Sequence, residues 1–144
     1  YIQDDYGLSL TYGVVEATTA AGVLTDEEDK FTAINAYYTP DAEGLPSISV
    51  GYEFGDIGGA AAGADEQASF MVGLTWDEVG PGSAGVALGH SNTNENADEL
   101  YQYEAYYEYP VNDSMTITPL IYTLDAAGAV DDTTGMMVKT SFSF

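Results

Sequence analysis

Apolar residues recur at every second position in segment after segment of this chain, and that period fixes the class of structure it can form. Successive strand residues point to opposite faces, so a period of two makes one face apolar; a helix needs a period of 3.6. Tyr6, Leu8, Leu10, Tyr12 and Val14 alternate with Gly7, Ser9, Thr11 and Gly13. Ile48, Val50, Tyr52 and Phe54 alternate with Ser47, Ser49, Gly51 and Glu53, and Phe70, Val72, Leu74 and Trp76 with Ser69, Met71, Gly73 and Thr75. The same pattern runs through Tyr101–Tyr109 and Met136–Phe144. It predicts eight strands over 6–16, 29–39, 46–54, 67–77, 82–90, 99–109, 114–124 and 134–144. Pro119 cannot donate to a ladder, which predicts a bulge or a weakened pairing there; a bulge would put Met115 and Ile117 on one face with Leu120, Tyr122 and Leu124.

The connections alternate too. Residues 17–28, 55–66, 91–98 and 125–133 are long, acidic and rich in Gly, Ala or Asn, whereas 40–45, 78–81 and 110–113 are short and carry Pro. Long loops at one end and tight turns at the other are the pattern of an up-and-down barrel of the outer membrane. The short turns then face the periplasm and the long loops the outside. A soluble sandwich or lipocalin-like barrel also alternates, but it would present Lys and Glu to water. Here the second face is mostly Gly, Ser, Thr and Ala, which suits a wide lumen with the large residues turned to lipid. An eight-stranded barrel is just wide enough to be filled by side chains, and these are too small to fill it. Eight strands are therefore expected to be part of a larger barrel, with residues 1–144 as one barrel domain.

Composition narrows the function. With 24 acidic residues against Lys30 and Lys139, the net charge is −22, which repels nucleic acid. Yet 45% hydrophobic residues, with 12 Tyr and 5 Phe, is too apolar for a disordered acidic tail. Cysteine is absent and His90 is the one histidine, so thiolate or imidazole metal centres are excluded. The chain has no initiating Met, basic n-region or apolar h-region, and reads as a processed mature protein or a piece of a longer one. No run approaches the roughly 18 apolar residues of a transmembrane helix.

Aromatic residues are expected in two girdles at the membrane interfaces. Tyr6, Tyr37, Tyr38, Trp76, Tyr107, Tyr109, Phe142 and Phe144 form the periplasmic one, and Phe31, Phe54, Phe70 and Tyr101 the outer one. The chain ends Lys-Thr-Ser-Phe-Ser-Phe, and the terminal phenylalanines Phe142 and Phe144 resemble the signal read by the outer-membrane assembly machinery. The expected pore-lining residues are Ser49, Glu53, Gln102, Glu104, Glu108 and Lys139.

Four segments in order resemble one family, the porins of cyanobacterial outer membranes, related to the carbohydrate-selective porins. They are Leu-Pro-Ser-Ile-Ser-Val-Gly-Tyr, Ala-Ser-Phe-Met-Val-Gly-Leu-Thr-Trp-Asp-Glu-Val, the stretch from Tyr103 to Tyr122, and Met-Val-Lys-Thr-Ser-Phe-Ser-Phe. The resemblance covers residues 45–144; residues 1–44 match in general character only. It implies an antiparallel transmembrane β-barrel of about sixteen strands, with this chain as its C-terminal half. Family members also carry a periplasmic domain that grips the cell wall, and nothing here resembles it. The chain departs from the family in its length and in lacking Arg, so any basic constriction would lie in a part outside it.

No motif points to catalysis. Asp26-Glu27-Glu28-Asp29 could offer hard oxygens to Ca²⁺ or Mg²⁺, but reads first as a solvated loop tip. Asn92, Asn94, Asn96 and Asp98 mimic an EF-hand spacing, but Ala97 stands where Gly is required. Glu104 and Glu108 lie about 13 Å apart along a strand, too far for a glycosidase pair. His90 reads as a solvated strand-end residue. The glycine-rich stretch from Gly55 to Gly63 lacks the Lys-Ser/Thr of a P-loop. The expected function is a passive outer-membrane channel for small hydrophilic solutes and ions, without cofactor or metal. Its partners would be lipid, the assembly machinery and two further copies in a trimer. The alternatives are a barrel whose outer loops serve as adhesin or phage receptor, and a soluble barrel carrying a small apolar ligand.

Overall fold

The computed structural model describes residues 1–18, 22–58, 60, 64–94, 96–128 and 130–143. They form one eight-stranded sheet: β1 (Tyr6–Thr18), β2 (Leu24–Tyr38), β3 (Ser47–Asp56), β4 (Glu66–Val79), β5 (Gly82–Asn94), β6 (Tyr101–Asn112), β7 (Met115–Leu124) and β8 (Thr133–Phe142). Each strand pairs antiparallel with the next, in the order β1 to β8. All eight expected strands and all seven hairpin connections are present. Among the described residues β1 and β8 do not pair, so the sheet is open.

The register sorts the side chains as the alternation requires, because residues directly opposite in a ladder share a face. One row across β1–β8 reads Tyr6, Tyr38, Ile48, Leu74, Val86, Ala105, Ile121 and Met136. The row displaced by one residue reads Gly7, Tyr37, Ser49, Gly73, Ala87, Glu104, Tyr122 and Gly135. The first belongs to a large-residue face and the second to a small-residue face. With a single layer there is no core: Ala17 is the one buried apolar residue among those described, whereas Leu10 is 71% and Met136 83% exposed. The accessible surface is 9927 Å², against about 7,100 Å² for a compact monomer of this mass.

Three local expectations are corrected. Of the two outcomes expected at Pro119, the weakened pairing is seen and the bulge is not. Pairing of β7 with β8 runs unbroken from Met115↔Phe142 to Leu124↔Thr133, while pairing with β6 keeps its register but skips Pro119 and Thr118. The missing N–H removes a ladder bond without inserting a residue, so parity is kept. Met115 and Ile117 share a face with Ile121, and Leu120, Tyr122 and Leu124 lie on the other. The acidic run from Asp26 to Asp29 is not a loop tip; it lies within β2, where Glu28 stands opposite Glu16 and Asp29 opposite Val15. The loop contrast is also weaker than expected. Residues 57–65, 95–100 and 125–132 link strands at one end and 80–81 and 113–114 at the other, but the second end also holds the longer connection 39–46. At one of the two two-residue turns Gly80 takes φ 64°, a left-handed conformation that glycine adopts without strain, and Pro81 follows it.

The N-terminal residues fold back on the free edge of β1. Tyr1 and Leu8 exchange two backbone hydrogen bonds, each 2.7 Å, and the Gln3 N–H donates to the Tyr6 carbonyl at 2.8 Å. Asp4 and Asp5 make the turn between them, at the same end of the sheet as turns 80–81 and 113–114.

Candidate functional site

All six expected pore-lining residues stand on the small-residue face. Ser49 lies between Tyr37 and Gly73, Glu53 between Ala33 and Ser69, Gln102 between Gly89 and Leu124, and Glu104 between Ala87 and Tyr122. Glu108 faces Ser83 on one side, and the β6–β7 register sets it against Thr118 on the other. Lys139 faces Thr118 from β8. Glu108 and Lys139 are thus two strands apart, about 10 Å between backbones, with Thr118 buried between them. The six do not converge on one spot. They are spread over three strands, β3, β6 and β8, as polar points on a wall of small residues.

The alternation did not reveal the rings on this face. Tyr37 lies over Gly7, Phe31 over Gly55, Tyr106 over Gly85 and Tyr122 over Gly135, each ring filling the space beside a glycine on the adjacent strand. The Tyr37 hydroxyl also donates to the Gln3 carbonyl at 2.8 Å. Such aromatic–glycine pairs cover backbone that would otherwise be bare, and they pin the register. Tyr37 and Phe31 therefore belong to the small-residue face rather than to girdles on the large one. Only the register could identify these pairs, because each joins residues on different strands.

The large-residue face keeps Tyr6, Tyr38, Phe54, Phe70, Tyr101, Tyr107 and Tyr109. The Tyr107 hydroxyl donates to the Val79 carbonyl at 2.8 Å, which holds that ring at the turn end. At the loop end His90 corrects the sequence reading: it is 8% exposed, not solvated. Its ring sits edge-on to Phe70, 4.8 Å between centroids, and to Tyr101 at 5.9 Å. The Tyr101 hydroxyl donates to Glu99 at 2.7 Å, and Tyr101 also stacks on Tyr103. β5 places His90 directly between β4 and β6, whose rings cover it.

Three further acidic groups hold backbone. The Asp29 carboxylate accepts the Gly58 N–H at 2.8 Å, Asp125 accepts the Tyr101 N–H at 3.2 Å, and Asp132 accepts the Ala126 N–H at 3.1 Å. The Asn94 side chain accepts the Asn96 N–H at 3.1 Å, closing a local turn. Among the described residues no three carboxylate or imidazole groups gather as metal ligands. Phe142 ends β8 opposite Met115 on the large-residue face. Phe144, Glu95, Gly59 and Gly63 lie outside the described residues. The chain matches no protein family, no curated protein and no solved structure.

Proposed function

We propose that this chain is part of an outer-membrane porin, a barrel that lets small hydrophilic solutes and ions diffuse through a water-filled channel. The observation that carries the reading is the pairing of two unlike faces on one uncovered sheet. Leu8, Leu10, Val50, Tyr52, Ile121 and Val138 stand exposed on one face, and glycines, serines and the candidate polar residues on the other. A soluble protein does not leave so continuous an apolar face in water. Lipid covers such a face, and a wet lumen accepts the other without burying carboxylates.

Strand length agrees. The strands run from 10 to 15 residues. Ten residues rise about 33 Å, which at the usual tilt of about 40° crosses an apolar band of about 25 Å. The open edges agree with a barrel larger than eight strands, of about sixteen in this reading. The resemblance to cyanobacterial outer-membrane porins supports the same function and location. The partners in this reading are lipid, the assembly machinery and further copies in a trimer, and carbohydrates stand among the solutes.

Planar-bilayer recording of the native full-length protein tests the proposal. Stepwise ohmic conductance is expected, together with a requirement for detergent during purification. Membrane insertion without conductance would favour an adhesin or receptor barrel, and a protein soluble without detergent would remove the membrane reading altogether.

A further inference from the structure

We propose that the large-residue face carries, at its loop end, a binding site for the sugar headgroup of a neutral glycolipid. The proposal rests on the membrane reading for the source of its ligand, but the site itself rests on three adjacent rows of the sheet. The lowest is a row of bulk: Ile34, Tyr52, Phe70 and His90. The next is low-lying except for one ring: Thr32, Phe54, Ala68 and Thr93. The outermost is charged: Lys30, Asp56 and Glu66. Because both cross-strand neighbours of Phe54 are short, the surface sinks around its ring. The result is a cavity of about 760 Å³ with Glu99 on its far side.

The rows lie about 7 Å apart along the strands. Polarity therefore changes from hydrocarbon to carboxylate across the width of a single headgroup. Tyr52 and Phe54, both exposed, incline to each other at 36° with centroids 5.8 Å apart, and offer a platform to the C–H face of a sugar ring. Asp56, Glu66 and Glu99 can accept hydroxyl protons, in the stronger charge-assisted form of the bond. A lipid tail would then lie over the row of Tyr52 and on towards Val50 and Val72.

Charge selects against the commoner headgroups. Three carboxylates border the cavity, and Lys30, the cation there, lies 3.8 Å from Glu28. A phosphate would meet net repulsion, whereas a neutral polyol meets acceptors. A quaternary ammonium would be attracted by the same carboxylates, but it could not use directional hydroxyl bonds; it is therefore the competitor that the test must include.

The test uses native mass spectrometry of the full-length protein in lauryldimethylamine oxide, which carries no sugar. Monoglucosyl diacylglycerol, phosphatidylglycerol and dodecyltrimethylammonium are offered separately at equal concentration. Retention of the glucolipid alone is expected. Phe54→Ala and the isosteric Asp56→Asn should each lower it about tenfold, the loss of one ring or one charge-assisted contact. Met136→Ala, on the same face but on β8, should leave it unchanged. Equal or stronger retention of either charged lipid, or glucolipid retention indifferent to Phe54→Ala and Asp56→Asn, would overturn the site while leaving the membrane reading intact. If the protein proves soluble without detergent, the membrane reading falls instead. Octyl glucoside below its micelle concentration, titrated into the same variants, then decides the site: binding weakened by Phe54→Ala keeps it, and no binding removes it.

Discussion

At the scale of single residues, the glycines of this sheet are not equivalent, and the difference is measurable. A Cβ on Gly82 would collide with the Glu108 carbonyl, which is backbone held in the β5–β6 ladder. A Cβ on Gly135 would meet only the outer atoms of the Tyr122 ring, which can swing aside. One on Gly13 meets nothing within 4 Å. Gly82→Ala should therefore destabilise by about 1–3 kcal/mol, because backbone must move. Gly135→Ala should cost less than about 1.5 kcal/mol, the price of an off-rotamer ring. Gly13→Ala should be neutral or stabilising by a few tenths up to about 1 kcal/mol, since the unfolded chain loses freedom. Urea midpoints of the refolded protein give the order; equal losses at Gly82 and Gly13 would show that the ladder yields where the geometry says it cannot. The sequence makes each glycine visible as a small position on the alternating face, but not what stands across from it. Tyr106 over Gly85 and Tyr122 over Gly135 are created by register, which no single strand encodes. His90 was misread for the same reason: its cover, Phe70 and Tyr101, comes from two other strands.

At the scale of the element, alternation located every strand, since a half-covered sheet needs a period of two wherever it runs. It failed at the ends. β2 begins at Leu24, five residues before its expected start, because pairing with β1 resumes at Thr18↔Leu24, after a register shift beyond Glu16↔Glu28, across an acidic stretch where no apolar period exists. Glu16 opposite Glu28 costs little when both are exposed to water, so charge did not stop the strand there. β7 differs: Pro119 weakens the ladder towards β6, as its missing N–H predicts, but keeps the parity. β8 carries the element-scale prediction. Phe142 is its last strand residue, exposed on the large-residue face and turned away from the polar wall. If it belongs to an assembly signal, Phe142→Ala should lower the amount of inserted protein several-fold and leave single-channel conductance unchanged. Outer-membrane yield, measured beside bilayer conductance, checks both halves; normal yield with altered conductance would place Phe142 in transport.

At the scale of the whole molecule, charge is the property the sequence states most directly, and the fold decides where it acts. Asp56, Asp65, Glu66, Asp98, Glu99, Asp125, Asp131 and Asp132, with the β2 run from Asp26 to Asp29, gather at the loop end of the sheet, and Lys30 is the one cation beside them. A mouth of one sign concentrates counter-ions, so a porin built on this sheet should prefer cations. That contribution is exposed and acts over a screening length of about 8 Å at physiological salt, so it should fade as salt rises. In such a porin the small-residue face would add a second contribution, nearer the permeation path. Glu53, Glu104 and Glu108 share that face with Lys139 and with the rings of Tyr37, Tyr106 and Tyr122, which in a lumen would leave less water beside them. Less water between ion and carboxylate means weaker screening, so this part of the selectivity should survive in high salt. The two contributions can be separated. Glu104→Gln with Glu108→Gln should reduce cation preference at high salt and leave most of it at low salt, whereas neutralising Asp26 to Asp29 should do the reverse. Reversal potentials across a salt gradient read both. Anion selectivity at low salt, where the acidic mouth acts most strongly, would contradict the placement of these charges along a conducting path.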